Sequence, residues 1–544
     1  MERSANKRAR FDKDRTPKGR SSWEYLRDKV TPLYCKDYSE QLEFKHNLVR
    51  SNLDLLSKKI LKHAVTRGLT PPKWCRVQTK TENIKDTNIL NFDISIPVCS
   101  TVSIKDDNGV APYSYRNKYE LTIGYTSSEL LDIDSDISVG FVSHIDKFEP
   151  IVTSIIRNSE NDLKKNSETN TLRIINPCII PIIQSMERVV KFSSRENDFK
   201  VYSRRNQCGI WRMLLIRLSE TSKEVMITIQ TTNVEAIGER DKIVHLILEE
   251  FVKKNSEMNL QGYKIKSIYH HQSDSIVDTF EIGKLDLIYG DPQISFNIKN
   301  IELFIGPLSF FQTNTKGCET LFSEIRKVIE VKILDRIKHS GGTEKRLVVL
   351  DVCCGVGAIG LTLLDIIRDL ENNFQSVELI GVDCSAEAIE SAKKNATNTG
   401  FENAKYYTGT AESILPNLLE GIPSNSIVLS IVDPPRSGLH PSVIKLLRQM
   451  NKINSLIYVS CNIDSLVKNC LDLCSAYDPH VDSRECFPVF VPEYAIPVDM
   501  FPYTKHVETI LYLTRSANLS DPSMTSNEEI RDKISNNPLL VRNT

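Results

Sequence analysis

Residues 347–360 read LVVLDVCCGVGAIG, and this stretch decides the fold. Its four leading apolar residues, Leu347–Leu350, predict a buried strand. The glycines that follow have G-x-G-x-x-G spacing at the start of a helix: Gly355, Gly357 and Gly360. Small glycines at such a turn let a ligand approach the backbone at the helix N-terminus. Because a sterically required turn without a ligand would need the same glycines, the motif alone leaves the function open.

Downstream of this motif, near-continuous apolar runs alternate with helical stretches. The runs are Leu347–Leu350, Leu379–Val382, Ile427–Val432, Leu456–Val459 and Ile510–Leu513. Strands that are buried on both faces have this pattern, and helices between them cover a parallel sheet. The fold class predicted from the sequence is therefore α/β, a doubly wound, mostly parallel Rossmann-like domain, preceded by a mixed α+β region.

The organisation of the chain outside this domain follows from composition and periodicity. A helical period runs over residues 41–67, and short strand-like runs follow it. We predict four regions: a basic flexible arm over 1–40, an α+β region over 41–300, the α/β domain over 301–515 and a polar tail over 516–544.

The overall charge of the 544-residue chain is uninformative, but the charge distribution is not. The formal net charge is −1, whereas residues 1–100 hold 21 basic and 12 acidic side chains. A basic N-terminal segment on an otherwise acidic chain is suited to binding a polyanion, although a solvated basic tail would have the same composition. The 13 cysteines show no C-x-x-C pair. We therefore expect reduced thiols, no metal site and an intracellular location, in the cytosol, the nucleus or both. No stretch of the sequence approaches ~18 consecutive apolar residues, so we also expect no membrane segment.

Four residues at predicted strand ends carry chemistry. Asp383 ends the second strand, where a carboxylate accepts hydrogen bonds from ribose hydroxyls, and Ser385 is the better candidate for the helix cap. Asp433 opens the stiff turn Asp-Pro-Pro-Arg, which can present it to a planar base. Cys461 ends the fourth strand, although a lone cysteine is more often inert core. Glu508 precedes the last strand and could act as a base.

These motifs in combination resemble the RNA uracil-5-methyltransferases over residues 305–515, especially the eukaryotic tRNA enzymes that make 5-methyluridine in the T-loop. The resemblance rests on six motifs in order: Phe310–Asn314, Asp351–Gly360, Asp383, Asp433–Arg436, Ser460–Asn462 and His506–Glu508. The resemblance also reaches upstream to Tyr115–Lys118 and Gly209–Arg212, which look like the RNA-binding domain of the family.

The resemblance implies a complete set of functional roles. S-adenosylmethionine is the methyl donor, and tRNA is the partner, with position 54 as the target and a monomer as the expected form. Catalysis falls to Cys461 as nucleophile and Glu508 as base. The residues implied in cofactor binding are Gln312, Cys353, Gly355, Asp383 and Asp433.

Alternative functions remain open at this point. A cytosine-5 or exocyclic-amine RNA methyltransferase would share the fold, and so would a non-catalytic RNA-binding or RNA-folding protein. Two aromatic side chains upstream, Tyr115 and Trp211, could stack on RNA bases or belong to the core.

Overall fold

The computed structural model describes thirteen stretches of the chain: 21–67, 72–75, 96–104, 112–127, 136–146, 148–155, 171–234, 236–280, 283–340, 346–363, 374–424, 426–475 and 490–515. The predicted polar tail over 516–544 lies outside them. The helices are α1 Ser22–Val30, α2 Tyr38–Thr66, α3 Ile179–Glu196, α4 Ile237–Leu248, α5 Thr315–Ser340, α6 Ala358–Thr362, α7 Ala386–Thr399, α8 Ala411–Glu420, α9 Pro441–Gln449 and α10 Ile463–Cys474.

The first of two seven-stranded sheets belongs to the N-terminal half. Its strands are β1 Lys118–Tyr125, β2 Ile137–Asp146, β3 Glu149–Ser154, β4 Trp211–Ser219, β5 Glu224–Thr231, β6 Lys264–Gln272 and β7 Lys284–Gly290. They lie in the order β2-β3-β1-β4-β5-β6-β7, with mostly antiparallel pairs. All nine residues of the central strand β4 are buried.

The second sheet contains the strand that decides the fold. Its members are β10 Arg346–Val352, β11 Ser376–Asp383, β12 Ala404–Thr408, β13 Ile427–Val432, β14 Ile453–Ser460, β15 Phe490–Val498 and β16 Glu508–Arg515. The order is β12-β11-β10-β13-β14-β16-β15. The first five strands run parallel, and the last two are antiparallel, which confirms the predicted mostly parallel sheet.

Both faces of this second sheet are covered, as the apolar runs predict. Along β10, Leu347 and Val349 pack in the core that contains Leu321 of α5. The alternate residues Val348 and Leu350 pack on the other side, with the apolar stripes of α2 and α10. Side chains alternate between the faces of a strand, so a strand that is apolar throughout must be buried on both. A small hairpin, β8 Ile294–Ile298 and β9 Ile301–Ile305, joins the halves.

The structure differs from the prediction of a flexible arm over residues 1–40 in the second half of that region. Ser21 caps α1 with a capping box, and Leu26 and Leu33 are buried. The backbone N–H of Leu33 donates to the carbonyl of Tyr503, near the end of the chain. Residues 1–20 lie outside the described stretches. None of the described helices is long and apolar enough to cross a membrane.

Candidate active site

The glycine motif forms a strained turn at the end of β10. Three residues have positive φ, Cys353 at 64°, Gly355 at 54° and Gly357 at 81°. For Cys353 this is uncommon, because a β-carbon makes the left-handed region costly. Backbone N–H groups of Cys353 and Cys354 donate to the carbonyl of Val382, which fixes the turn against β11. The turn therefore presents its backbone outward at the carboxyl edge of the sheet.

Asp383 is fixed beside this turn. One of its carboxylate oxygens accepts from the Gly355 N–H at 2.9 Å, and the other accepts from the Ser385 N–H at 2.9 Å. The Ser385 hydroxyl accepts from the Ala388 N–H, so Ser385 caps α7, as predicted from the sequence. Each carboxylate oxygen of Asp383 keeps further acceptor capacity for a ligand.

An open cavity lies over the glycine turn. Its lining includes Phe310, Gln312, Cys353, Gly355 and Asp433, so four of the five predicted cofactor-binding residues share one pocket. The fifth, Asp383, is hydrogen-bonded to Gly355. A β-carbon at Gly355 would point into space with no atom within 4 Å, so a side chain there would enter the cavity. The bare backbone and the carboxylates beside it fit a nucleoside cofactor.

The Asp-Pro-Pro-Arg turn connects this cavity to the cysteine strand. Asp433 directly follows β13, which lies between β10 and β14 in the sheet. The carbonyl of Arg436 accepts from the Asn462 side chain at 2.9 Å. Asn462 also caps α10 by accepting from the Asp464 N–H. The loop after β13 is thereby held against the loop after β14, next to Cys461.

Cys461 and Glu508 meet through the strand register. Strands β14 and β16 are antiparallel neighbours, and their last registered pair is Ser460 with Thr509. Cys461 and Glu508 are the next residues along the same register, so they stand at one end of adjacent strands. Cys461 is half-buried, and Glu508 is buried. Residues 47 positions apart in the sequence thus face the carboxyl edge where the cavity opens.

The surroundings of Cys461, Glu508 and Asp433 favour the protonated form of each side chain. Burial and the charges of Glu508 and Asp433 raise the pKa of the Cys461 thiol to about 11, against the opposing effect of the Arg436 guanidinium. Burial and the Asp433 charge raise the pKa of Glu508 well above its usual range. Burial also raises the pKa of Asp433 to about 7. Strongly perturbed groups that cluster in a cleft are typical of catalytic sites.

Two residues of the site were not among the predicted ones. Arg436 is exposed beside Cys461, and its side chain hydrogen-bonds to the thiol. Lys45 of α2 is fully buried and holds the loop that leads to Glu508. Its position carried a signal: residue 45 falls between Leu42 and Val49 on the apolar stripe of α2, where a lysine must face the interior.

Tyr115 and Trp211 belong to the core, not to a surface for RNA. The Tyr115 hydroxyl donates to the carbonyl of Pro502, and the Trp211 indole N–H donates to the Ser193 hydroxyl. Both side chains are at most 5% exposed. Of the two roles considered for them, the structure therefore selects packing.

Comparisons with known proteins identify methyltransferases among the proteins that this chain resembles. Residues 343–491 match the family described as "Methyltransferase domain". The human tRNA (uracil-5-)-methyltransferase homolog B is 26% identical over 501 residues, covering 91% of this chain and 84% of the relative. The tRNA (uracil-5-)-methyltransferase homolog A of Mus musculus is also 26% identical, and the match covers 90% of this chain and 69% of the relative. The predicted resemblance and the methyltransferase class are confirmed.

A solved structure shares the fold. The Pyrococcus abyssi tRNA (uracil-54, C5)-methyltransferase, in complex with S-adenosyl-L-homocysteine, superposes with a TM-score of 0.51 at 20% identity. The likeness covers 88% of this chain and 84% of the archaeal one. The predicted α/β fold class is confirmed.

Proposed function

We propose that this protein methylates carbon 5 of a uridine in tRNA with S-adenosylmethionine as donor, and that the T-loop uridine at position 54 is its target. The observation that carries the proposal is the placement of Cys461 and Glu508 at one end of adjacent strands, beside the cavity over the glycine turn. The names of the curated relatives support uridine in tRNA as the substrate.

The predicted cofactor-binding residues would contact different parts of S-adenosylmethionine. Asp383 would accept hydrogen bonds from the ribose, and the backbone at Gly355 would lie against the nucleoside. Gln312 would hold the methionine end, and Asp433 would close the cavity on the side of Cys461. When bound, S-adenosylmethionine supplies an electrophilic methyl group on a positively charged sulfur. Because Asp433 is shared between the cavity and the cysteine end, the two halves of the site are contiguous.

Cys461 activates the ring. Carbon 5 of uracil is a poor nucleophile until a thiolate adds to carbon 6 and places an enolate electron pair toward carbon 5. The thiol must first lose its proton, and its raised pKa makes the free thiolate scarce at neutral pH. The Arg436 guanidinium beside the sulfur favours the anion and partly offsets the neighbouring carboxylates. The Cys461 proton passes to solvent before the sulfur attacks carbon 6, and the Arg436 guanidinium stabilises the thiolate that remains.

Glu508 resolves the adduct. After methyl transfer, carbon 5 carries both a methyl group and its original proton. The Glu508 carboxylate removes that proton, the electron pair restores the 5,6 double bond, and the Cys461 thiolate leaves. A buried carboxylate whose pKa is raised is a stronger base than an exposed one, which suits a weakly acidic carbon. Glu508 is then protonated and Cys461 is a thiolate, so Glu508 must release its proton to solvent before the next turnover.

The test is methyl transfer to a defined transcript. Purified protein is incubated with labelled S-adenosylmethionine and unmodified tRNA, and the RNA is digested to nucleosides. We expect labelled 5-methyluridine, and its loss on a matched transcript with cytidine at position 54. Another methylated nucleoside would identify a cytosine-5 or amine methyltransferase, and absence of label would favour an RNA-binding protein. Label that persists on the position-54 variant would overturn the target but not the reaction.

A further inference from the structure

A continuous row of arginines and tyrosines lies beside the loop that leads to Glu508. We call it the arginine–tyrosine strip, and it consists of Arg27, Tyr34, Arg173, Tyr113 and Tyr503. The Arg27 guanidinium lies 4.8 Å from the Tyr34 ring centre, and that of Arg173 lies 4.3 Å from the same ring. Arg173 also lies 5.3 Å from the Tyr503 ring and 5.6 Å from the Tyr113 ring. Tyr113 stacks on Tyr503 at 5.8 Å.

The strip includes one residue of the loop that leads to Glu508. Tyr503 belongs to the loop between β15 and β16, five residues before Glu508. The same loop accepts hydrogen bonds from the N-terminal half, at Pro502 from the Tyr115 hydroxyl and at Tyr503 from the Leu33 N–H. Any group bound on the strip would therefore lie beside the loop that positions the candidate base.

The members of the strip differ in what they offer to a partner. Tyr503 is buried, but Tyr113 exposes 50% of its surface although it stacks on Tyr503. Arg173 is half-buried, and within the described stretches no carboxylate pairs with it. Its side chain donates instead to the backbone carbonyl of Tyr34 at 3.4 Å. Among the described residues, the strip therefore ends in an exposed aromatic ring next to a guanidinium that no carboxylate pairs with.

This combination is suited to unpaired nucleotides. Bases stack on aromatic rings and on guanidinium planes, and arginines take the phosphates between them. A base modified inside a crevice must leave its stack, so its neighbours in the RNA also lose stacking partners. A ring that is exposed beside the crevice can replace them.

We propose that Tyr113 is a stacking platform for an unpaired tRNA base adjacent to the target nucleotide, and that Arg173 contacts the phosphate next to it. The inference rests on the proposed function and extends it to a subsite for the flanking nucleotide. It assigns Tyr113 a positioning role, since this ring acts on the RNA and not on the reacting atoms.

The test compares tRNA binding by variants. Base–aromatic stacking predicts that Tyr113→Ala weakens the affinity for an unmodified transcript about 5-fold to 150-fold, whereas Tyr113→Phe keeps it. KM for tRNA rises in Tyr113→Ala, while kcat at saturating tRNA, KM for S-adenosylmethionine and thermal stability stay at wild-type values. Tyr289→Ala is the matched control, a 40% exposed tyrosine on the edge strand β7, and it binds as wild type does.

Salt dependence separates the base contact from the phosphate contact. Arg173→Gln reduces the magnitude of the slope of log affinity against log salt concentration by about 1, the value expected for one lost phosphate contact. Tyr113→Ala leaves this slope unchanged. Wild-type affinity in Tyr113→Ala, or an equal loss in Tyr289→Ala, overturns the inference even when the wild type methylates the transcript. A wild type that transfers no methyl group to any nucleoside of the transcript overturns the proposed function itself.

Discussion

Lys45 and Asp499 form an ion pair in which both side chains are completely buried. Lys45 lies on helix α2, near the start of the chain, and Asp499 follows β15 near its end. Lys45 also donates to the carbonyl of Phe501 at 2.9 Å, and the Gln41 side chain accepts from the Tyr503 N–H at 2.7 Å. Helix α2 therefore holds the β15–β16 loop from behind, and this loop ends at Glu508.

The first prediction concerns the cost of breaking this pair. Lys45→Met leaves the Asp499 carboxylate buried without its partner, so we expect the free energy of unfolding to fall by about 3–5 kcal/mol. Because the loop then loses its anchor, kcat should fall more than KM for S-adenosylmethionine changes. Urea denaturation and steady-state kinetics measure the two effects.

The exposed Lys59 on the same helix provides the matched control for Lys45. Lys59→Met should change stability by no more than about 0.5 kcal/mol. The double variant Lys45→Met with Asp499→Leu should recover much of the lost stability, because no charge remains buried alone. Equal stabilities of Lys45→Met and Lys59→Met would contradict the role given to the pair.

The second prediction separates the nucleophile from the base. Glu508→Gln keeps the shape of the buried side chain but cannot accept the proton from carbon 5, so the covalent RNA adduct should accumulate with ordinary uridine. Turnover should fall by about 10²–10⁴-fold. A denaturing gel of protein, tRNA and S-adenosylmethionine shows the adduct as a shifted band.

The cysteine variant is the counterpart of this experiment. Cys461→Ala should form no adduct, even with 5-fluorouridine RNA, in which the ring carries no removable proton at carbon 5. Adding Cys461→Ala to Glu508→Gln should abolish the shifted band. A band that survives the loss of Cys461 would show that another group attacks the ring.

The third prediction is a pH dependence of adduct formation. The Cys461 thiol must lose a proton to attack, and its pKa is raised to about 11. The thiolate fraction, and with it the rate of adduct formation on 5-fluorouridine RNA, should therefore rise from pH 6 to pH 9. Because the Arg436 guanidinium favours the thiolate, Arg436→Gln should move the rising limb to higher pH. Arg436→Lys, which keeps the charge, should move it less. A rate that is flat over this range would contradict attack by a thiolate of raised pKa.

The strands of the catalytic sheet could be predicted from the sequence, but the long-range contacts that surround the sheet could not. Strands such as β13, apolar at nearly every position, can be recognised locally because burial on both faces leaves no alternation. The ends of those strands then placed Asp433 and Cys461 at one edge. The Lys45–Asp499 pair could not be read this way, since its partners are 454 positions apart and a lysine is rarely buried. The arginine–tyrosine strip draws on separate segments, which no local pattern joins.

The fourth prediction is a pH dependence of stability that originates in the N-terminal sheet. His270 of β6 is fully buried, and its ring nitrogen Nε2 lies 2.9 Å from the Thr231 hydroxyl. Burial, with a contribution from Arg240, lowers the pKa of His270 to about 4. An unfolded histidine titrates near ~6.5, so the unfolded chain binds this proton first as the pH falls. Stability is then present above pH ~6.5 and is lost on the way down toward pH 4, by about 2 kcal/mol between pH 7 and pH 5. Urea unfolding at these two pH values should show a difference smaller by that amount in His270→Gln. His245→Gln, which removes an exposed imidazole of α4, should keep the wild-type difference. If His270→Gln loses as much stability on acidification as the wild type does, this buried imidazole is not the source.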